Sequence, residues 1–305
     1  MTGGLRIGID LGGTKIEAVL VDRAGRVVSR ERVATPRNYE ETVTLLADLV
    51  ARIDAACDDR PSIGIGTPGA WVESTRTMKN CNSTWLNGRP LLDDLNAALN
   101  GRVRIANDAN CLVLSEALAG AGKGARVVFG VILGTGVGGG IVVDGQLLAG
   151  ANAVAGEWGH TPLPYLRSDP ATKRVEAGLE DRPCYCGRLN CVETFLSGPG
   201  FAATHRELGG ERVNAERIPP DAPSVDLYKS MLARSLAQIV NVLDPDVIVL
   251  GGGLSNIEGL AEDVARRMGG YGFSHEGRTR VVTAEHGDTS GVLGACRLWP
   301  LSDVV

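Results

Sequence analysis

Val127-Val-Phe-Gly-Val-Ile-Leu-Gly-Thr-Gly-Val-Gly-Gly-Gly-Ile-Val-Val-Asp144 reads as an apolar run, a Gly/Thr turn and a second run rich in β-branched residues. That grammar spells strand, tight turn, strand. The same grammar stands near the N-terminus, where Ile7–Asp10 and Ile16–Val21 flank Gly12-Gly-Thr14. A constant offset of 122 residues (Asp22 to Asp144) places Gly12 on Gly134 and Thr14 on Gly136. A weak internal repeat of this kind predicts two related domains, each opening with a glycine-turned hairpin.

Working outward, strand and helix patterns alternate along the whole chain, which indicates an α/β architecture. Residues 40–56 carry helical spacing of apolar positions, and Ser62–Gly66 returns as a strand ending in Thr67-Pro-Gly69. Val103–Ala106 is another strand, with Asn107-Asp108 at its end and a helix over Cys111–Leu118 that Asp108 or Asn110 is suited to cap. Residues 226–243 read as a helix stopped by Pro245, followed by a strand over Asp246–Leu250. Gly251-Gly-Gly253 then turns into a helix expected to be capped near Ser255 or Asn256. The charged, Pro-rich stretches 167–182 and 209–224 read as exposed loops.

Composition narrows the function. A net charge of −5 with scattered Lys and Arg supplies no footprint for nucleic acid or an acidic membrane. No apolar run approaches the ~20 residues of a membrane span, and the N-terminus lacks the pattern of a secretory signal, so a cytoplasmic location is expected. In that compartment the seven cysteines are not expected to form disulfides, and a tight cysteine cluster points to metal.

Three glycine-rich turns follow apolar strands: Asp10–Lys15, Gly134–Gly140 and Gly251–Gly253. Glycine lets backbone N–H groups approach a polyphosphate closely, threonine adds a hydroxyl, and Asp10 is suited to hold a hydrated Mg²⁺. Gly134-x-Gly136-x-x-Gly139 and Gly64-x-Gly66-x-x-Gly69 satisfy the dinucleotide-binding spacing, but neither leads into the helix that motif requires. The P-loop pattern is absent too. His160 with Cys184, Cys186 and Cys191 offers four ligands of the kinds zinc prefers; free buried thiols are the alternative. Asp108 is either a helix cap or a carboxylate placed to accept a proton.

With Gly156-Glu-Trp-Gly-His160 and Cys184-Tyr-Cys-Gly-Arg-Leu-Asn-Cys191-Val-Glu193 added to the two phosphate turns, the chain resembles the ROK family of sugar kinases and repressors over essentially its whole length. That resemblance implies two actin-like (ribonuclease H-like) ATPase domains with an active-site cleft between them: 1–115 with 291–305, and 116–290 with the zinc-binding loop. It implies ATP bound by Gly8, Asp10, Gly12, Gly13, Thr14, Lys15, Gly134, Thr135, Gly136, Gly138, Gly252, Gly253 and Asn256, with Mg²⁺ held by Asp10 through water. It implies a sugar held by Gly69, Asn82, Ser83, Thr84, Asn107, Asp108, Glu157, His160 and Glu193, with Asp108 as general base. Structural zinc on His160, Cys184, Cys186 and Cys191, and a homodimer, complete the expectation.

Within the family, Lys79-Asn-Cys-Asn-Ser-Thr-Trp-Leu-Asn-Gly88, His286-Gly-Asp288 and Leu298-Trp-Pro300 are similar to bacterial fructokinases of the mannofructokinase type, which makes fructose the expected acceptor. Mannose, glucose and N-acetylglucosamine are the alternatives. A sugar-sensing regulator is the rival of another class; the acidic balance and the immediate arrival of Asp10 disfavour it. One departure is Asn190, where the zinc motif often has glycine; asparagine tolerates the left-handed conformation such a turn needs.

Overall fold

The computed structural model describes residues 4–58, 60–166, 179–274 and 277–299, so Pro300 and most of the expected loop 167–182 lie outside the described residues. The chain divides into two compact units: Met1–Glu116, Leu147–Ala155 and Asp288–Val305 form the first, and Ala117–Gln146 with Gly156–Gly287 the second.

In the first unit the order is β1 (Arg6–Leu11), β2 (Lys15–Val21), β3 (Val27–Ala34), α1 (Tyr39–Asp54), β4 (Ser62–Thr67), β5 (Ala70–Val72), β6 (Thr77–Lys79), α2 (Leu91–Ala98), β7 (Val103–Asn107) and the start of α3 (Asp108–Ala119). The main sheet runs β3-β2-β1-β4-β7, antiparallel through the first hairpins and parallel from β1 through β4 to β7. Alternation along β2 sorts its side chains between two faces. Ile16, Ala18 and Leu20 join the core under Leu46, Leu49, Val50 and Ile53 of α1, while Val19 and Val21 meet Val292 and Cys296 at α8 (Ser290–Ala295). The start of α1 is set by Asn38, whose side chain accepts from the Glu41 N–H at 3.0 Å, with Glu40 and Glu41 in the first turn complementing the helix dipole.

The second unit repeats the plan with β8 (Val127–Leu133), β9 (Val137–Val143), β10 (Gln146–Leu147), α4 (Glu193–Leu196), α5 (Gly198–Glu207), α6 (Pro223–Leu243), β11 (Val247–Gly251), α7 (Leu260–Met268) and β12 (Arg280–Thr283). Its sheet order, β10-β9-β8-β11-β12, has the same antiparallel hairpin followed by parallel strands. The offset of 122 carries Lys15–Val21 onto Val137–Val143, the bounds of β2 and β9. This is the duplicated, actin-like arrangement. Phe129, Val131 and Leu133 of β8 and Ile248 and Leu250 of β11 pack under Leu232 and Leu236 of α6. That helix stops where Asp244 turns left-handed (φ 48°) ahead of Pro245, as the sequence predicts.

Three expectations need correction. Residues 147–155, assigned by sequence to the second domain, belong to the first unit, where the Lys79 ammonium donates to the Asn152 carbonyl at 2.9 Å. Asn107 rather than Asp108 or Asn110 precedes α3, and its Oδ1 accepts from the Ala109 N–H at 2.9 Å. After β11 the chain makes a short 3-10 turn over Gly253–Asn256, and helix α7 begins only at Leu260. The Ser255 hydroxyl and N–H both turn back onto the Gly252 carbonyl, which closes that turn before a helix can propagate.

Candidate active site

In the first unit the candidate residues collect at the carboxyl ends of the parallel strands, where open α/β sheets bind ligands. Register sets this up: Asp10 on β1 pairs with Gly66 on β4, and Thr67 pairs with Asn107 on β7. The chain leaves β1 through a turn in which the Gly12 N–H donates to the Lys15 carbonyl at 3.1 Å. Thr35 fixes it from the side, its hydroxyl donating to the Gly12 carbonyl at 2.7 Å. Ser83 lies 3.6 Å from where a Gly13 side chain would begin, and its buried hydroxyl lacks a hydrogen-bond partner among the described residues. An orphaned hydroxyl beside a glycine turn is the kind of group a bound phosphate or sugar satisfies. Asn82 and Thr84 flank it at the surface, in a loop that Asn87 closes by donating to the Cys81 carbonyl and accepting from its N–H. Gly69 turns left-handed (φ 101°) against Cys81 at the base of that loop. Trp71 and Trp85 are partly buried against the first unit's core.

Asp108 bears on the titration of Asp10. Burial, the Asp108 charge and then Glu17 raise the Asp10 carboxyl to about 6, with Lys15 opposing. Burial also raises Asp108, opposed by hydrogen bonds from the Ala109 N–H and Asn107. Asp108 keeps a solvent-facing surface, which limits the size of that shift and leaves its carboxylate accessible. Two carboxylates whose proton affinity burial raises, beside a glycine turn, form a site that can move a proton and hold a cation.

In the second unit two glycine turns lie side by side. A Cβ on Gly252 would come within 2.5 Å of the Leu133 carbonyl, at the end of β8, so the turn after β11 rests against the start of the Gly134–Gly136 turn. Gly253 and Asn256 are exposed on it, and Thr135 is exposed on its neighbour. The Gly134 carbonyl accepts from the Gly198 N–H at 2.7 Å, tying the turn to α5. A side chain at Gly136 would start 2.8 Å from Glu193 Oε2, which accepts the Val137 N–H at 3.0 Å. Glycine at 136 therefore allows a carboxylate of the expected sugar set to reach the phosphate turn. Trp158 packs beneath, its indole N–H donating to the Gly138 carbonyl at 2.8 Å. Glu157 stands exposed at the head of the same short turn.

Two glycines of the expected phosphate set do other work. A Cβ on Gly8 would collide with the Val292 carbonyl and the Cys296 sulfur, so this glycine lets α8 lie directly on β1. Gly138 is a residue of β9 paired with Ile132, outside the turn.

Cys184, Cys186 and Cys191 sit on or beside a hairpin closed by Cys184 N–H to the Arg188 carbonyl (2.8 Å) and Gly187 N–H to the Cys184 carbonyl (3.0 Å), and His160 joins them from the short Trp158–His160 turn. Their ligand atoms lie within 4.8 Å of one another. The Cys184 sulfur is 3.5 Å from His160 Nδ1, and the Cys186 and Cys191 sulfurs are 3.6 Å apart. Bond lengths typical of zinc give tetrahedral edges of about 3.6–3.8 Å, so the donor set fits a zinc ion. His160 Nε2 meets the Tyr185 hydroxyl at 2.9 Å, the outer partner that orients a ligating imidazole. Asn190 adopts the left-handed conformation foreseen for it (φ 58°).

The model of the ROK family matches residues 6–301. The chain belongs to the ROK family. An N-acetyl-D-glucosamine kinase of Pectobacterium atrosepticum is 38% identical over 300 residues, covering 95% of this chain and 97% of that protein. One from Vibrio parahaemolyticus is 38% identical over 306 residues, with 95% and 98% covered. Among solved structures, the ROK hexokinase from Thermus thermophilus superposes with a TM-score of 0.79 at 29% identity, covering 96% of each chain. A ROK glucokinase from Streptomyces griseus, in complex with glucose and AMPPNP, gives 0.72 at 29% identity, with 97% and 99% covered.

Sequence reasoning missed two residues of this ROK site. Tyr185 was visible only as the residue between two cysteines. Arg182 gave no signal, because its partners are dispersed: it donates to the Thr194 and Gly200 carbonyls, to the Thr204 hydroxyl and to Glu207, all at 2.7–2.9 Å. Its guanidinium also lies 4.2 Å over the Phe195 ring. Arg182 thus rivets the cysteine hairpin to α4 and α5, and α4 begins with Glu193. Arg182→Met is expected to cost about 3–5 kcal/mol of stability in denaturant unfolding, because it strands Glu207 in a largely buried setting. Arg182→Lys, which keeps the charge without the fork, is expected to cost less.

Proposed function

We propose that this ROK protein is an ATP-dependent hexose kinase, with N-acetyl-D-glucosamine as its acceptor. The observation that carries the kinase reading is the pair of perturbed carboxylates, Asp10 and Asp108, at the strand ends beside a glycine turn and an orphaned serine hydroxyl. The acceptor is supported by the relatives above, whose shared name is N-acetyl-D-glucosamine kinase.

In this reading Asp108 takes the proton of the sugar hydroxyl as its oxygen bonds to the γ-phosphorus of ATP. The bond between that phosphorus and the ADP oxygen breaks, and ADP leaves with the electron pair. Asn107, Glu157 and Glu193 orient the sugar through its other hydroxyls, and a wrong sugar leaves such partners unpaired. The Gly12–Thr14 and Gly134–Gly136 turns, with Gly252, Gly253 and Asn256, offer backbone donors to the phosphates. When bound at Asp10, Mg²⁺ neutralises charge on the transferred group. Zinc would be structural, held by His160 and the three cysteines, and would keep the hairpin ahead of Glu193 in place.

Fructose is the second reading, favoured by the similarity of the Lys79–Gly88 segment to bacterial fructokinases. ADP release from ATP·Mg²⁺, measured against N-acetyl-D-glucosamine, fructose, glucose and mannose, separates these. The largest kcat/KM is expected for N-acetyl-D-glucosamine. A preference for fructose would restore the motif-based reading and keep the mechanism. No ADP release with any sugar would end the kinase proposal.

A further inference from the structure

Tyr185 occupies an unusual position. Its neighbours on both sides, Cys184 and Cys186, belong to the metal-ligand cluster, so the cluster pins its backbone at the hairpin tip. Its side chain is 78% exposed, and the ring stands edge-on to His160, with centroids 5.0 Å apart. The hydroxyl reaches His160 Nε2 at 2.9 Å. With Nδ1 of that ring turned toward the Cys184 sulfur at 3.5 Å, Nε2 is the nitrogen left facing outward. The Tyr185 hydroxyl therefore holds the hydrogen bond that a sugar hydroxyl approaching His160 would need.

The same phenol lines a groove of about 310 Å³ with Thr135, Glu193, Thr194, Ser197 and Ala203. That groove brings Tyr185 together with Thr135 of the second glycine turn and with Glu193, and His160 is not part of its lining. A ring that exposed is anchored by little besides its contact with His160, so turning it aside is cheap. Left in place, it keeps its hydroxyl on Nε2.

We infer that Tyr185 is a specificity-determining residue that screens the sugar acceptor at His160: its hydroxyl yields the Nε2 bond to a sugar hydroxyl, and its ring limits the substituent that fits beside it. The inference rests on the hexose-kinase reading. It gives the ring a direction of discrimination, against the larger acetamido group and in favour of a plain hydroxyl. In the wild-type chain the relative efficiency toward N-acetyl-D-glucosamine is then lower than the rest of the site would allow.

The test uses the full chain with its metal content measured. Tyr185→Gly is expected to raise the ratio of kcat/KM for N-acetyl-D-glucosamine over fructose by about tenfold, the scale on which one side chain in a pocket discriminates. Tyr185→Phe keeps the ring and frees Nε2, so the ratio should hold within about twofold while KM falls for both sugars. An unchanged or lower ratio in a folded, metal-loaded Tyr185→Gly protein overturns the inference. Should that variant lose metal or fold, an unchanged or raised KM in Tyr185→Phe overturns it instead. A wild-type protein that phosphorylates neither sugar removes the kinase reading and this inference together, and that outcome is seen before either variant is made.

Discussion

Asp108→Asn is expected to lower turnover by about 10²–10⁴-fold with the fold intact, the range that removal of a general base produces. Asparagine has the same shape and keeps an oxygen to accept from the Ala109 N–H, which Asp108 Oδ1 now does at 2.7 Å. The start of α3 also keeps its Asn107 cap. Missing is only a group that can take a proton.

The same substitution changes Asp10 in a foreseeable direction. Asp108 is the second-largest cause of the rise of Asp10 to about 6, after burial, and removing that charge lets Asp10 ionise at lower pH. An acid whose pKa is raised in the folded state favours folding most at pH below its ordinary value and loses that contribution as pH rises through the folded value. Stability of the ligand-free wild type should therefore decline as pH rises from about 4 toward 6, and decline less in Asp108→Asn. Activity runs the other way: kcat/KM falls on acidification as Asp108 is protonated, and because burial raises its carboxyl, the acid limb is displaced upward from that of an ordinary aspartate. Single-turnover phosphoryl transfer against pH, with thermal unfolding on the same samples, measures both. Turnover within about tenfold of wild type, in a folded Asp108→Asn protein, would remove Asp108 as the base.

What the sequence made legible is what glycine and strand patterns determine locally. The expected strand Ile16–Val21 falls one residue short of β2, and the 122-residue offset maps β2 onto β9 end to end, because a tight Gly/Thr turn between β-branched runs leaves little choice of register. Gly8 entered the expected phosphate set through the family resemblance alone. Its reason for being glycine is α8, which arrives from nearly 300 residues along the chain and leaves no local trace. The return of residues 147–155 to the first unit escaped for the same reason, since Lys79 and Asn152 are far apart in sequence. The four candidate metal ligands were legible by residue type, whereas the groups that hold them in place were not. Arg182 satisfies acceptors from residues 194 to 207, and no spacing rule connects a lone arginine to scattered carbonyls.

Stripping the metal is the second large effect expected. The hairpin from Arg182 to Asn190 is short, its tip from Cys184 to Leu189 is exposed apart from Cys184, and two backbone bonds close its turn. Without a metal, burial pushes the Cys191 thiol up to about 12, so it stays protonated, and zinc must displace that proton to bind. A structural ion held at about a thousandfold excess over its Kd contributes about 4 kcal/mol. For a unit of this size that corresponds to a fall of about 8–16 °C in Tm on chelation. Because proton and metal compete for the sulfurs, the chelator should act faster at lower pH. The Arg182 contacts remain when the ion leaves, so α4 and α5 should persist while the hairpin tip and His160 lose their order. Sugar KM is then expected to rise more than ATP KM, since Glu157, His160 and Glu193 border the hairpin and the glycine turns stand on strand ends. Metal analysis should find about one zinc per chain, and Cys184→Ser should reproduce the chelated state. A chain that carries no zinc, keeps its Tm in chelator and phosphorylates sugar at full rate would reduce the cluster to four packed side chains.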